Sequence, residues 1–151
     1  MLPSRHIFFG AIFSFLIIFL FPQIGWLGFS IIFLSSVLVD FDHYLYYVIK
    51  KKDFSLRNAY KLFLRQMKLI RRLSYEEKRK YPYGIILFHG VECWVILLLL
   101  VFINKIFLYV LIGVLIHMIF DFIDLYQNNM PSYHKLSQIY VHIKNQKIKK
   151  R

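Results

Sequence analysis

Residues 7–21 read IFFGAIFSFLIIFLF, an apolar run without a charged residue that ends at Pro22. A second run, Ile24–Val39 (IGWLGFSIIFLSSVLV), follows almost at once, and two more occupy Gly84–Ile103 and Ile106–Phe122. A helix that crosses a bilayer needs about 20 largely apolar residues. The third run reaches that length alone, and the first two reach it when their helices include neighbouring residues. The sequence therefore predicts an all-α integral membrane protein with four transmembrane helices.

The composition supports a membrane protein and excludes several soluble classes. Of the 151 residues, 58% are apolar and 19% aromatic, and the mean hydropathy is +0.52. Soluble domains are usually about 45–50% apolar, so an ordinary globule and a disordered chain are both excluded. The single cysteine, Cys93, excludes a disulfide framework and a cysteine-based zinc finger. The first run is followed directly by the second without a small-residue cleavage site, which favours a retained anchor over a signal peptide.

Short links and basic residues predict the topology. Pro22-Gln23 and Asn104-Lys105 are tight links, so the four spans should form two hairpins. Nineteen of the 20 basic residues fall in the same three places: before the first span, between the hairpins and in the tail; only Lys105 lies elsewhere. Basic loops stay in the cytoplasm, so we expect a multi-pass protein of the inner membrane with both termini cytoplasmic. The predicted organisation is a single membrane-embedded domain (1–151), with hairpins at 1–43 and 84–125, a basic loop at 44–83 and a basic tail at 126–151.

The loop between the hairpins has the pattern of an amphipathic helix. After Ser55, a suitable N-cap, apolar residues recur at helical spacing and are interleaved with basic ones. We interpret this segment as a basic helix in the membrane interface, bound to anionic phospholipid. The alternative is a solvated helix that covers the bundle. Topology and lipid explain the net charge of +12, so a nucleic-acid partner is not expected, and a homo-oligomer remains open.

Ionisable residues inside or beside the apolar runs gather near one leaflet. Five of the eight acidic residues lie inside or beside these runs, although a charge at such a place is costly unless it is paired. Four of the five fall at one leaflet among histidines, and the fifth, Asp124, is peripheral. Several of these residues are three or four positions apart and so share a helix face. The candidate metal ligands are His6, Asp40, Asp42, His43, His89, Glu92, His117 and Asp121.

These side chains predict a particular class of site. Histidine and carboxylate ligands without thiolate suit zinc, manganese or iron, and eight donors are too many for one ion. We therefore expect two or three divalent ions, with zinc favoured. Asp42 and Glu92 are the candidate catalytic residues, although Asp42 could also orient a histidine or bridge two ions. Candidates for binding a substrate headgroup are Arg65, Lys68 and Arg71.

The order of these motifs resembles a known family. The motifs are His6 with Gly10, VDFDH at 39–43, FHGVE at 88–92 and HMIFD at 117–121. Together they are similar to small inner-membrane proteins described as membrane-bound metal-dependent hydrolases, the LexA-regulated, YdjM-like group. That group is in turn similar to the helical zinc-dependent phospholipase C and nuclease P1 fold. The chain departs from the pattern at Val39, where much of the family has proline, and in having one histidine before the third span.

The sequence thus predicts a metal-dependent hydrolase of a phosphoester, with a lipid headgroup as the expected substrate at the cytoplasmic leaflet. Two other functions fit the same residues. One is a cation or proton transporter or channel subunit, in which the acids and histidines bind a travelling ion. The other is a non-catalytic membrane module that is held together by a structural metal.

Overall fold

The computed structural model describes residues 3–149, and all regular secondary structure within that range is helical. Residues 150 and 151, the end of the predicted basic tail, lie outside the described residues, as do residues 1 and 2. Two short 3-10 turns occupy Pro22–Ile24 and Leu87–His89. The α-helices in chain order are α1 (Pro3–Leu20), α2 (Gly25–Leu38), α3 (Phe41–Lys51), α4 (Leu56–Arg72), α5 (Tyr75–Lys80), α6 (Val91–Val101), α7 (Ile106–Gln127), α8 (Tyr133–Leu136) and α9 (Gln138–Lys149).

Three stretches of the described chain are long and apolar enough to cross a membrane. They are Pro3–Leu20, Pro22–Lys51 and Ile106–Gln127. Helix α6 is apolar but has only 11 residues, which at 1.5 Å per residue gives a length of about 16 Å against a hydrocarbon core of about 30 Å. The all-helical class is therefore confirmed, and three of the four predicted spans correspond to stretches long and apolar enough to cross a membrane. The third predicted span contains a shorter helix than its apolar run suggests.

The chain divides into two compact units. The first contains Met1–Asp40 and Val91–Asp124, and the second contains Phe41–Gly90 and Leu125–Arg151. In the first unit, Val39, Val114 and Met118 form a buried core against which partly buried residues of α6 and α7 pack. Many large apolar side chains of this unit point outward instead; Phe19 is 79% exposed and Phe102 is 85% exposed. So much exposed apolar surface is normal for helices that face lipid.

In the second unit, an irregular segment at residues 82–90 includes the beginning of the apolar run Gly84–Ile103, for which a spanning helix was predicted. Its backbone groups are satisfied by side chains from other elements, which removes the need for helical hydrogen bonds. Gln138 Oε1 accepts a bond from the Ile86 N–H (2.9 Å), and Asn145 Nδ2 donates to the Tyr83 carbonyl (2.8 Å). Both partners belong to α9, so the basic tail packs against this segment.

The predicted basic helix of the middle loop is confirmed as α4. Ser55 is its N-cap, and the Ser55 hydroxyl accepts a bond from the Asn58 N–H at 3.3 Å. The six basic residues of α4 are exposed, and the helix has no acidic residue. None of its side chains is fully buried.

Candidate metal centre

Four side chains of the first unit, from three helical segments, lie close together. They are His6 in α1, Asp40 just after α2, and His117 and Asp121 in α7, and we call them the His6 cluster. Each offers a ligand atom, and these four atoms all lie within 4.8 Å of one another. His117 and Asp121 are four residues apart in one helix, so their side chains share a face.

Two imidazoles and two carboxylates alternate in the His6 cluster. The His6 Nε2 atom is 3.4 Å from Asp121 Oδ1 and 3.8 Å from Asp40 Oδ2. The His117 Nε2 atom is 3.2 Å from Asp121 Oδ2 and 3.5 Å from Asp40 Oδ1. The two imidazole rings stack, with their centroids 3.9 Å apart. Both Nε2 atoms therefore face both carboxylates.

These nitrogen–oxygen distances are close to those expected between the ligands of one metal ion. Zinc binds imidazole nitrogen and carboxylate oxygen at about 2.0–2.2 Å in a tetrahedron, which places the ligand atoms about 3.3–3.6 Å from one another. The four measured separations run from 3.2 to 3.8 Å. The donor set of two nitrogen and two oxygen atoms therefore fits a divalent ion in size and chemistry.

The burial of His6 supports the same interpretation. The residue is 2% exposed, and neither of its ring nitrogens has a hydrogen-bond partner. Buried polar atoms without a partner are rare and cost about 1–3 kcal/mol each. A cation at the centre of the cluster would give the His6 Nε2 atom a partner. Asp40 is the most accessible member, since 20% of its side chain is exposed, compared with at most 1% for the others.

The backbone of α2 orients His117. Helix α2 ends at Leu38, so its last carbonyl groups lack partners within the helix. One of them, the Ser36 carbonyl, accepts a bond from His117 Nδ1 at 2.9 Å. This bond leaves the lone pair on Nε2, the atom that faces the carboxylates, as in metal-binding histidines held by outer partners. The negative end of the α2 dipole also favours a cation here.

A second group of predicted ligands lies in the second unit. Asp42 is 3% exposed, and its Oδ2 atom accepts bonds from the Phe88 N–H (2.8 Å) and from His89 Nδ1 (3.0 Å). The rings of His89 and His43 lie edge to face with their centroids 5.1 Å apart. Asp42 therefore fixes the ring of His89 so that Nε2 carries the lone pair. Two histidines and one orienting carboxylate form only part of a coordination shell.

The remaining predicted site residues lie elsewhere. Glu92 stands in the first turn of α6, half-buried, and belongs to neither group. It was expected on the same helix face as His89, but His89 lies in the 3-10 turn before α6, so one continuous helix does not carry both. Arg65, Lys68 and Arg71 are exposed on α4.

Three residues that support these groups lie outside the motifs. The Ser36 carbonyl acts through the backbone, so residue type gives no signal for it. Gln138 and Asn145 support the segment that carries His89, and their only sequence signal is that they are seven residues apart, on one face of a helix.

Comparison with known proteins finds no relative of this chain. No family model matches the chain, and no curated protein or solved structure matches it.

Proposed function

We propose that the protein is a membrane-embedded, metal-dependent hydrolase of phosphoesters. The observation that carries the proposal is the His6 cluster, in which four buried or half-buried donors are spaced like the ligands of a tetrahedral ion. The motifs that carry these donors also resemble the membrane-bound metal-dependent hydrolases. The substrate would be a phospholipid headgroup, because His6 lies one turn from the start of a helix that can span a membrane.

The residues have distinct roles in this proposal. His6, Asp40, His117 and Asp121 hold one divalent ion, with zinc favoured, and Asp40 lies on the accessible side. His43 and His89 contribute to a second ion, and Asp42 acts as a positioning residue for His89. A divalent ion, when bound, lowers the pKa of water and neutralises negative charge on a phosphoryl group. The buried faces of α1 and α7 exclude bulk water from the donors.

A non-catalytic module with a structural metal is the second candidate. Structural zinc sites have four protein ligands, whereas catalytic zinc usually keeps one position open. The His6 cluster supplies four donors. This number favours the structural role, unless substrate replaces Asp40 as the fourth ligand. Measuring activity and metal content together distinguishes the two functions.

The membrane arrangement is also part of the proposal. We propose four spans in two hairpins, with α6 as a short third span, and both termini on the cytoplasmic side of the inner membrane. The support is the distribution of basic residues, of which only Lys105 lies in a link on the opposite side. A Lys105→Cys variant in a Cys93→Ser background should react with impermeant reagents from the outer side alone.

The test of function uses the full chain purified in nanodiscs. We expect about one tightly bound zinc per chain and release of phosphate or headgroup from phospholipids. His117→Ala should lose that ion and lower activity at least about 100-fold, since even outer partners of a metal ligand contribute 10–100-fold. His142→Ala is the matched control, because His142 is an exposed histidine of α9 outside both groups.

The possible results separate the proposals. Bound zinc without hydrolysis of any phosphoester favours the structural module. Hydrolysis that survives His117→Ala, or a parent chain that binds no metal, contradicts the hydrolase proposal.

A further inference from the structure

Helix α4 carries a continuous basic stripe. At 100° per residue, its six basic residues fall within an arc of about 120°. The six are Arg57, Lys61, Arg65, Lys68, Arg71 and Arg72, and all are exposed. Because α4 has no acidic residue, the charge of the stripe is not neutralised within the helix.

The opposite face of α4 packs within the second unit. Phe63 and Ile70 are half-buried there, and the centroid of the Phe63 ring lies 5.6 Å from that of the His43 ring. This contact fixes which way the basic stripe points. The solvated-helix alternative explains the packed face, but it does not explain the apolar residues that remain exposed beside the stripe.

Exposed apolar side chains lie at the beginning of α4 and in the turn before it. Phe54 is 77% exposed, Leu56 is 67% exposed and Tyr60 is 48% exposed. Ile49, near the end of α3, is 78% exposed. Large apolar residues beside a basic face are typical of helices that lie in the headgroup region of a bilayer.

A rigid turn joins α4 to a membrane-spanning stretch. That stretch ends at Lys51, and α4 begins five residues later, which places its start at most about 18 Å from Lys51. Asp53 accepts bonds from the Ser55 N–H (2.9 Å), from Asn58 Nδ2 (3.0 Å) and from the Tyr47 hydroxyl. These hydrogen bonds, the one from Tyr47 first, hold the pKa of Asp53 below its usual value. The turn therefore stays ordered at neutral pH and keeps α4 near the membrane surface.

We propose that the basic stripe of α4 binds the headgroups of anionic phospholipids and holds the helix parallel to the membrane surface. The inference rests on the membrane placement in the proposed function and does not depend on metal or hydrolysis. Its partner is a lipid surface rather than a soluble anion, because exposed apolar side chains accompany the charges. Phosphate groups accept bonds from arginine in particular.

The experiment places a probe on α4 in the full chain. A Tyr60→Cys variant in a Cys93→Ser background is labelled with an environment-sensitive fluorophore and reconstituted in nanodiscs with or without phosphatidylglycerol. We expect blue-shifted emission and quenching by headgroup-labelled lipids in the anionic discs, and both effects should weaken as salt screens the charges. Emission that does not depend on lipid charge would overturn the proposal.

Charge variants test whether the stripe itself is responsible. Lys61→Gln, Arg65→Gln and Lys68→Gln together should reduce the preference for phosphatidylglycerol by about fivefold per removed cation. The matched control removes three exposed cations outside α4, with Arg79→Gln, Lys80→Gln and Lys147→Gln. If the control loses the preference for phosphatidylglycerol to the same extent, net charge alone explains lipid binding, and the proposal is overturned.

A second measurement works even if the probe disturbs the helix. Spin-labelled phosphatidylglycerol and phosphatidylcholine are compared in vesicles that contain the unlabelled parent chain or the α4 triple variant. The parent should immobilise more of the anionic lipid, and the triple variant should not. Zinc content is measured on the same samples and should be unchanged, so failure of the lipid proposal and failure of the metal proposal are distinguishable.

Discussion

At the residue scale, His6 most strongly favours a cation in the first unit. Its two ring nitrogens have no hydrogen-bond partner, and two carboxylates lie within 3.8 Å of Nε2. Without a cation, the buried side chain of Asp121 and the half-buried side chain of Asp40 repel each other, and the imidazole is left unsatisfied. With a divalent ion, all four donors gain a partner. We therefore expect these residues to lower the free energy of unfolding when metal is absent and to raise it when metal is bound.

The Asp121→Asn variant tests whether metal reverses the effect of these residues on stability. In metal-free protein the variant should be as stable as the parent or more stable, because a buried charge is removed without a change of shape. With zinc at about 1,000 times its Kd, the parent should gain about 4 kcal/mol in the free energy of unfolding, and the variant much less. Denaturant unfolding in micelles, with zinc or with chelator, measures both values.

The control for this substitution is Asp124→Asn. Asp124 is a buried carboxylate of the same helix, 9% exposed, and lies outside the His6 cluster. This variant should keep the gain in stability with zinc. If both variants keep the gain, Asp121 is not a ligand.

Residue spacing predicts only those parts of the candidate site that lie within one helix. His117 and Asp121 belong to one continuous helix, so their shared face follows from their spacing. Glu92 was paired with His89 by the same rule, but the rule does not apply where the backbone is not helical. In a helix the Phe88 N–H would donate to a backbone carbonyl, but here it donates to the Asp42 side chain. Such a long-range bond leaves no local pattern.

At the element scale, small residues allow the helices that carry the ligands to approach closely. One turn from His6 is Gly10, one turn from Asp40 is Ser36, and one turn from His117 is Gly113. A Cβ atom on Gly10 would meet the Ser36 side chain, and one on Gly113 would meet the Ser35 hydroxyl and backbone atoms of α2. Small residues serve the same purpose in other membrane helix pairs. We call Gly10, Ser36 and Gly113 the seam; their small size keeps α1, α2 and α7 close enough for their donors to meet.

Gly113→Ala should therefore weaken metal binding without touching a ligand. The new methyl group would lie against the Ile32 carbonyl and only 3.0 Å from the Ser36 nitrogen, and backbone atoms cannot move aside as a side chain can. We expect a loss of about 1–3 kcal/mol in stability from overpacking and about 10–100-fold in zinc affinity, because the Ser36–His117 bond lengthens.

Gly28→Ala is the matched control for the seam. Its methyl group would meet the side chains of Ile24 and Tyr109, which can adjust, and alanine also favours the helix. Zinc titration and unfolding of both variants provide the comparison. Equal effects of the two substitutions on zinc affinity would contradict a role of the seam in positioning His117.

The tail is an element whose packing is sensitive to alkali. The Tyr133 hydroxyl donates to the Arg79 carbonyl (3.2 Å), and Lys144 Nζ lies 3.7 Å from the centre of the Tyr133 ring. Burial raises the pKa of Tyr133 to about 12. Because the folded pKa is the higher one, this contribution to stability is complete below about pH 10 and is lost as the pH rises through 12.

A difference titration isolates this tyrosine among the eleven of the chain. Tyrosinate absorbance of the parent minus that of Tyr133→Phe should show a step near pH 12. Amide exchange in α9 should accelerate over the same pH interval in the parent. A difference step at the pH of an ordinary tyrosine would show that Tyr133 is not buried in the folded protein.

The two parts of the second unit differ in how well the sequence predicts them. The 3.6-residue period of α4 specifies its helix and its apolar face locally. The irregular segment at residues 82–90 takes its form from Gln138 and Asn145, more than 50 positions along the chain. Hydropathy describes the composition of that segment but not its distant partners, which is why a span was predicted where the chain is irregular.

At the scale of the whole molecule, the His6 cluster belongs to one compact unit. All four members of the His6 cluster lie in the first unit, whereas His43 and His89 lie in the second. A bound ligand makes local unfolding less favourable in the region of the protein that binds the ligand. One equivalent of zinc should therefore slow amide exchange at the beginning of α1, around Asp40 and near the end of α7. The amides of α9, which belong to the second unit, should not respond.

Hydrogen exchange measured by mass spectrometry on the full chain tests this selectivity. His117→Ala should abolish the protection in the first unit, while His89→Ala should leave it intact and remove only a response of residues 82–90 at higher zinc concentration. Zinc that slowed exchange equally in both units would contradict binding at the His6 cluster, because a general effect on the fold needs no cluster. Protection confined to the beginning of α1, to Asp40 and to the turn of α7 from His117 to Asp121 requires the ion to bind where those donors meet.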